Sequence, residues 1–283
     1  MPAPIDWSRP WYDSVRPAFE RLALTNAEGK GEGKGEPSRD VEVQRYKHLL
    51  DAFNARAASL GLRNATGMLL RFVPQAALPE GRAYEEFIGA TGCVPTRDNL
   101  HDFFNALVWL TFPSIKQQLN ALQSAQIALA GVGKSRGPAR DGATIFDENS
   151  ALLIVRRCDA GVALVDALRQ HQWHQALFQA RAMFGRDAQV WLFGHALMEK
   201  LVAPRKAITA HTWVVWADEL CFNLPHDEQR AWIDHEVAAA LIKGGLSTAC
   251  FTPLPVLGVP GWWEPQDEAF YMDTSVFRPK RPA

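Results

Sequence analysis

Helical periodicity is the sequence feature that most constrains the fold of this chain. In several long segments apolar residues recur every three or four positions, the spacing that places them on one face of an α-helix. Runs of β-branched or aromatic residues, which favour strands, are fewer and shorter. The pattern predicts helices at 41–60, 98–112 and 114–129, two helices within 160–182, and helices at 188–202 and 227–242, with strands at 151–155 and 212–217. Because no strand-helix-strand alternation appears, we expect an α+β fold, predominantly α-helical, in a single compact domain with a few short strands.

The two ends of the chain differ from this body. Residues 1–24 carry several aromatic side chains and are expected to dock on the body, because exposed aromatic surface is costly. Residues 25–39 interleave glycine with Glu and Lys, which predicts a flexible, dispensable linker. Residues 40–283 are then a single domain. Its last part, which includes 253–263, is aromatic and rich in proline, so we expect an extended C-terminal segment that packs on the body.

One glycine-rich segment comes close to a phosphate-binding loop. Residues 127–137 read IALAGVGKSRG, and the pattern G-x-x-x-x-G-K-S would need glycine in place of Ala128. Such a loop follows a buried strand and opens a helix. Here the preceding residues have helical periodicity, and Gly137 with Pro138 is expected to break any helix that begins there. The sequence favours a helix C-terminus leading into a loop, and it predicts no nucleotide cofactor.

Charge and cysteine content exclude several classes of function. The chain has 30 Lys and Arg against 31 Asp and Glu, so no overall field draws it to nucleic acid or to an anionic membrane. The four cysteines include no C-x-x-C pair, which argues against a zinc knuckle or a redox dithiol. The N-terminus lacks the apolar run of a signal peptide, and no transmembrane segment is evident. We expect a soluble, cytoplasmic protein with a small-molecule substrate. The sequence does not decide whether the protein forms a homo-oligomer.

Four polar residues share one edge of the apolar helix predicted at 98–112. Asp98, His101, Asp102 and Asn105 stand at positions i, i+3, i+4 and i+7. This edge is expected to face a polar cleft or another polar element. Capping of the helix by Asp98, with solvent-facing neighbours, is the alternative. It explains Asn105 less easily, because that residue lies deep in the apolar stretch.

More titratable residues follow between 140 and 211. His195 and Glu199 are four residues apart on one helical face, where they could chelate a metal, form an acid/base pair or make a structural hydrogen bond. His211 stands just before a strand-like run. The segment RDGATIFDENS supplies Asp141 and Glu148 around a predicted turn, and turn formation explains these residues about as well as metal ligation does.

Several of these segments together resemble a known family. They are TGCVPTRDNLHDFFNALVWLTFP, RDGATIFDENS, FGHALMEK, ITAH, PLPVLGVPGWW and the terminal VFRP, and they cover about residues 84–279. In this respect the chain is similar to the bacterial family named domain of unknown function 3025, found mostly in proteobacteria. The resemblance implies a single family domain and carries over no activity. Its segments contain the polar residues selected above, namely His101, Asp102, Asn105, Asp141, His195, Glu199 and His211.

Two classes of function fit these residues. The first, slightly favoured, is an enzyme acting on a small molecule, with His101, His195, Glu199 and His211 converging on a divalent metal (Zn, Mn or Fe). The catalytic residues would be His101, Asp102, Asn105, Asp141 and Glu148. Hydrolysis would use metal-activated water, oxygen chemistry would need iron, and a metal-free version would pair His195 with Glu199. The second class is a non-catalytic binding or scaffold module whose buried polar residues form a structural network.

Overall fold

The computed structural model of the chain describes residues 5–22, 39–130 and 138–280. Tertiary contacts divide the chain into a small unit, residues 15–134, and a large unit that combines residues 1–14 with 135–283. Both units contain helices and strands, with helices in the majority, so the predicted α+β and mainly helical class is confirmed. The predicted linker, 25–39, lies outside the described residues except for Arg39, as does the glycine-rich stretch 131–137. Within the described ranges, no helix combines the length and apolar character needed to cross a membrane.

The small unit consists of helices around a two-stranded parallel sheet. Its elements are α1 (Arg16–Glu20), α2 (Arg39–Ser59), β1 (Arg71–Pro74), α3 (Tyr84–Thr91), β2 (Cys93–Thr96), α4 (Leu100–Thr111) and α5 (Pro113–Ala130). Strands β1 and β2 pair in parallel. The helices predicted at 41–60, 98–112 and 114–129 are confirmed as α2, α4 and α5. Strands β1 and β2 were not predicted, because four residues are too few to display a clear alternation.

The large unit is built on a four-stranded mixed sheet. Its principal elements are α6 (Pro138–Asn149), β3 (Ser150–Arg156), α7 (Asp159–Arg169), a π-helix (His174–Gln179), β4 (Ala188–Leu192), α8 (His195–Lys200), β5 (Thr209–Ala217), α9 (Glu219–Phe222), α10 (His226–Gly244), β6 (Thr252–Pro255) and α11 (Glu268–Tyr271). The strand order is β4-β3-β5-β6. β3 pairs with β5 in parallel, and the two outer strands are antiparallel to their neighbours. The continuous apolar run of β3 suits this central position, because a central strand is buried on both faces.

One face of the sheet packs against α7, the π-helix and the C-terminal segment. The buried cluster there contains Leu153 and Val155 of β3 together with Leu164, Val165, Leu168, Leu177, Val259, Phe270 and Phe277. The aromatic C-terminal segment therefore closes the core, as predicted. Strand β6 within this segment was not predicted, because Pro253 and Pro255 lack amide donors. An edge strand tolerates both prolines.

The opposite face carries an aromatic stack. The Phe146 ring, from the last part of α6, lies 5.0 Å from the Phe193 ring and 5.7 Å from the Phe251 ring, nearly parallel to both. Trp213 of β5 lies 5.5 Å from Phe146 at a steeper angle. Since α6 runs directly into β3, this stack fixes the end of α6 on the sheet.

Two segments differ from the sequence prediction. The helix predicted at 188–202 is wrong in its first half, where Ala188–Leu192 forms β4, and only His195–Lys200 forms a helix. The apolar residues of a strand and of the short helix after it merged into one apparent helical pattern. The turn predicted around 140–149 is part of α6, which begins at Pro138. Proline starts this helix instead of breaking it, because the first helical residue needs no amide donor.

Lys206 connects the segment between α8 and β5 to the C-terminal segment. Its Nζ lies 2.7 Å from Oδ2 of Asp273 and 4.3 Å from the centre of the Phe270 ring. The hydrogen bond from Lys206, followed by that from the Ser275 hydroxyl, lowers the pKa of Asp273 to about 2. The C-terminal segment is thus held by charge as well as by apolar packing.

Replacing Lys206 by methionine is expected to raise the pKa of Asp273 towards its ordinary value of 3.8, and only part of the way because the Ser275 hydrogen bond remains. Since the folded-state pKa is lowered, the stabilisation is complete above pH 3.8 and is lost as the pH falls through about 2. An NMR titration of the carboxyl group measures the shift. Lys280→Met is the control, because Lys280 lies on the same C-terminal segment but contacts Gln170, at the end of α7. An equal rise in the control would show a general charge effect and contradict the assigned contact.

Candidate functional site

Three chain segments meet at one edge of the four-stranded sheet. Helix α6 enters β3 at Ser150, and β4 ends beside this point because it runs antiparallel to β3. The backbone amides of Phe193 and Gly194 both donate to the Ser150 carbonyl, at 3.2 and 2.9 Å. Strand β5 starts here too, with His211 in register with Ser150. The end of α6, the start of α8 and the start of β5 therefore lie together.

The imidazole of His195 lies between two carboxylates from the end of α6. Its Nε2 is 3.5 Å from Oε2 of Glu148, and its Nδ1 is 4.0 Å from Oδ2 of Asp147. The side chains of His195 and Asp147 are only 4% and 10% exposed, whereas that of Glu148 is 39% exposed. The group therefore runs from a buried carboxylate, through a buried imidazole, to a carboxylate that solvent can reach.

Gly194 allows α8 to start this close to the end of α6. A Cβ atom at Gly194 would lie 2.4 Å from the Ser150 nitrogen and 2.7 Å from the Glu148 carbonyl oxygen. Its φ angle of −59° is open to any residue, so glycine is required here for space and not for conformation. Because Gly194 has no side chain, the next residue, His195, can lie against the acidic end of α6.

Asn149 connects three further groups at the same edge. Its side-chain nitrogen donates to the Thr209 carbonyl at 3.0 Å and lies 3.2 Å from Nδ1 of His211, while its oxygen accepts from Nζ of Lys200 at 3.2 Å. Burial, together with the charge of Lys200, lowers the pKa of His211. The neutral imidazole of His211 is therefore favoured. That His211 and His195 ligate one ion stays a prediction.

The other candidates in the large unit occupy different ends of their helices. Asp141 lies exposed in the first turn of α6, seven residues before Glu148, which is about 10 Å along the helix axis. A carboxylate there interacts favourably with the helix dipole. Glu199 lies half-buried on α8, one turn after His195, as the spacing predicted. The catalytic role of Asp141 and the ligand role of Glu199 stay predictions.

In the small unit, Asp102 and Asn105 belong to hydrogen-bonded networks. Asp102 is buried and accepts from the backbone amide of Arg97 at 2.6 Å and from its guanidinium at 2.8 and 3.0 Å. Asn105 accepts from Nζ of the buried Lys116 at 2.8 Å and donates to the Tyr84 hydroxyl at 3.1 Å. These contacts join α3, α4 and α5. These hydrogen bonds are compatible with the structural-network alternative, and the catalytic role of Asp102 and Asn105 stays a prediction.

The start of α4 differs from the prediction. Asn99 caps the helix, because its side-chain oxygen accepts from the backbone amide three residues later at 2.8 Å. Asp98 instead forms an ion pair with Arg45, so the capping role considered for Asp98 is wrong. His101 lies half-buried in the first turn of α4. It belongs to the small unit, and its convergence with His195 stays a prediction.

Asp147 was considered only as a capping or turn residue or a ligand and was not among the predicted site residues, although a further signal was present. Asp147 and Glu148 occupy the last turn of α6, where the negative end of the helix dipole disfavours acidic residues. A buried strand follows immediately, which keeps both carboxylates beside the core. Two acidic residues at such a helix end suggest a positively charged partner.

These features define a class of protein: an α+β protein with a buried imidazole between two carboxylates at one edge of a mixed sheet. A family model described as "Protein of unknown function (DUF3025)" matches residues 70–281, and the chain belongs to this family. The resemblance inferred from the sequence segments is therefore confirmed. The matched residues include Asp147, Glu148 and His195, whereas the aromatic segment near the N-terminus precedes them. Neither the curated proteins nor the solved structures provide a match to this chain.

Proposed function

We propose that the protein is a metal-dependent hydrolase of a small molecule, in which His195 and Glu148 bind one divalent ion. The observation that carries the proposal is the 3.5 Å separation of Nε2 of His195 and Oε2 of Glu148 beside the buried Asp147.

The separation fits two ligands of one ion better than it fits a hydrogen bond. Hydrogen bonds from nitrogen to oxygen cluster near 2.9 Å and are about 3.2 Å at most. Two ligand atoms about 2.0 to 2.1 Å from a tetrahedral zinc ion lie about 3.3 Å apart. The imidazole nitrogen and the carboxylate oxygen are at 3.5 Å, close to that separation. A cation between them would also neutralise the acidic end of α6.

Asp147 supports this arrangement from the other side of the ring. A metal-binding histidine commonly donates its second ring N–H to a carboxylate, which fixes the tautomer and the ring orientation. The carboxylate of Asp147 faces Nδ1 at 4.0 Å and needs to move less than about 1 Å inwards to make that hydrogen bond. Asp147 is therefore the proposed orienting residue, and Nε2 is the proposed metal ligand.

The mixture of one imidazole and one carboxylate suits zinc, manganese or iron. Such an ion, when bound, would lower the pKa of a coordinated water so that hydroxide forms near neutral pH. In hydrolysis that water would supply the hydroxyl group that bonds to the electrophilic atom of the substrate, and its other proton would go to the leaving group as the scissile bond breaks. The partial exposure of Glu148 gives water and a small substrate access to this position. His101, Glu199 and His211 are the further ligands that the sequence predicts.

Metal titration tests the proposal. The chain, freed of metal by a chelator, is expected to bind one Zn²⁺ or Mn²⁺ per molecule in calorimetry and to show a higher melting temperature with the ion present. His195→Ala and Glu148→Gln should each weaken binding by at least about 100-fold, because loss of a ligand costs more than loss of an outer partner.

His174→Ala is the matched control for that titration. His174 also faces a glutamate, Glu268, but at 2.8 Å, which is an ordinary hydrogen bond. Its replacement should leave metal affinity unchanged. The proposal fails if the unmodified chain binds no ion, or if His195→Ala and His174→Ala bind equally well. Metal-free acid/base catalysis at His195 would then be the next candidate to test.

A further inference from the structure

The aromatic segment near the N-terminus packs against the part of the large unit that carries His195. Trp11 and Tyr12, in a 3₁₀ turn over Pro10–Tyr12, are each only 1% exposed. The hydroxyl of Tyr12 donates to the Met198 carbonyl on α8 at 3.2 Å. Trp11 and Tyr12 lie before residues 70–281, the region that the family model matches. Tyr12 nevertheless contacts α8, which belongs to that region.

Helix α8 depends on such contacts for its orientation. With six residues it is too short to be stable alone. The Ser150 carbonyl accepts an amide hydrogen bond from Gly194, directly before the first residue of the helix. At the other end, Met198 carries one of the last four carbonyls, which lack the regular donor four residues later, and it accepts from the Leu201 amide at 3.2 Å. Tyr12 supplies a second donor to that carbonyl from a distant part of the chain.

Two hydrogen bonds at opposite ends restrict the rotation of α8 about its axis. That rotation would move the His195 ring relative to Asp147 and Glu148, which belong to α6. The N-terminal segment has a second interaction, because Asp13, the residue after Tyr12, interacts electrostatically with the His226 imidazole. The segment therefore has separate contacts with α8 and with the start of α10.

We infer that Tyr12 is a positioning residue, which fixes α8 from the N-terminal segment and so sets the distance between His195 and Glu148. The link to metal binding rests on the proposed function, whereas the effect on α8 does not. Tyr12 has no contact with substrate in this role. It acts through the Met198 carbonyl and the helix that carries it.

Tyr12→Phe and Tyr271→Phe form a matched pair for the test. Tyr271 is also buried, and its hydroxyl also donates to a backbone carbonyl, that of Gly258, at 3.1 Å. It lies in the core cluster around Leu153 instead of against α8. Each variant loses one buried hydrogen bond, so each should lower the melting temperature by a few degrees, about 2–4 °C.

Only Tyr12→Phe should increase the local opening of α8. In the metal-free chain, hydrogen exchange of the α8 amides is expected to be about fivefold faster in Tyr12→Phe and unchanged in Tyr271→Phe. Affinity for Zn²⁺ should fall about tenfold in Tyr12→Phe alone. Equal exchange of α8 in both variants, or unchanged exchange in Tyr12→Phe, would overturn the inference. If the unmodified chain binds no Zn²⁺, the proposed function fails, and the exchange measurement still decides the role of Tyr12.

Discussion

Gly194→Ala is expected to destabilise the folded chain by about 3 kcal/mol, the upper part of the range for overpacking. The added Cβ would lie 2.4 Å from the Ser150 nitrogen, 2.6 Å from the Asn149 nitrogen and 2.7 Å from the Glu148 carbonyl oxygen. All three are backbone atoms at the junction of α6 and β3, so no side chain can move aside. Denaturant unfolding measures the loss of stability, since the midpoint and slope of the transition together give the free energy of unfolding.

The same substitution should also weaken the proposed metal site, because α8 must move away from Glu148. Gly244→Ala is the control: nothing lies within 4 Å of its added Cβ, and its φ angle is not positive. At this open position the free energy of unfolding should stay the same or rise slightly. A Gly194→Ala chain as stable as Gly244→Ala would show that α8 does not start against the α6–β3 junction.

The role of Gly142 explains why the sequence suggested a turn where the chain forms α6. Glycine among polar residues is typical of a turn, and the segment 140–149 has both. In the structure Gly142 is helical, and an added Cβ would lie 3.0 Å from Cα of Ser247. The glycine permits a neighbouring segment to approach the helix. Such a contact depends on residues more than a hundred positions later and has no local sequence signal.

The partners of His195 were missed for a similar reason. Helical spacing predicted Glu199 as the partner of His195, and Glu199 does lie one turn after His195 on α8. The carboxylates found at the imidazole, Asp147 and Glu148, come from another helix. Strand pairing brings them there, since β4 delivers His195 to the point where α6 ends. Because residues 188–192 were predicted as part of a helix and not as β4, the sequence identified His195 but not its position beside Asp147 and Glu148.

Strand β3 shows the opposite case. Its run ALLIV is apolar at every position, a local pattern that is sufficient to predict a buried strand. The helices α2, α4 and α5 were likewise predicted from the period of their apolar residues. Local patterns thus identified the long elements other than α6. The short ones, and the pairing that brings the carboxylates to His195, depend on contacts between distant residues.

Phe146→Ala is expected to lower the free energy of unfolding by about 3–5 kcal/mol, the usual range for a buried phenylalanine. Phe146 is fully buried, and its ring stacks on Phe193 and Phe251 at 5.0 and 5.7 Å. Its loss would leave a cavity under the end of α6, directly before Asp147. Denaturant unfolding measures the change in stability, and calorimetry with Zn²⁺ should show weaker binding by the protein that remains folded.

Phe178→Ala is the control, since Phe178 is only partly buried and packs against the other face of the sheet. Phe178→Ala should lower the free energy of unfolding clearly less than Phe146→Ala does, because the Phe178 side chain buries less apolar area. Its affinity for Zn²⁺ should stay unchanged, because its aromatic contacts, His174 and Tyr271, lie away from His195. If both variants lost the same stability and the same affinity, the aromatic stack would not be what holds the acidic end of α6. If Phe146→Ala lost stability but kept full affinity, Asp147 and Glu148 would be held in place by the strand pairing at Ser150 alone.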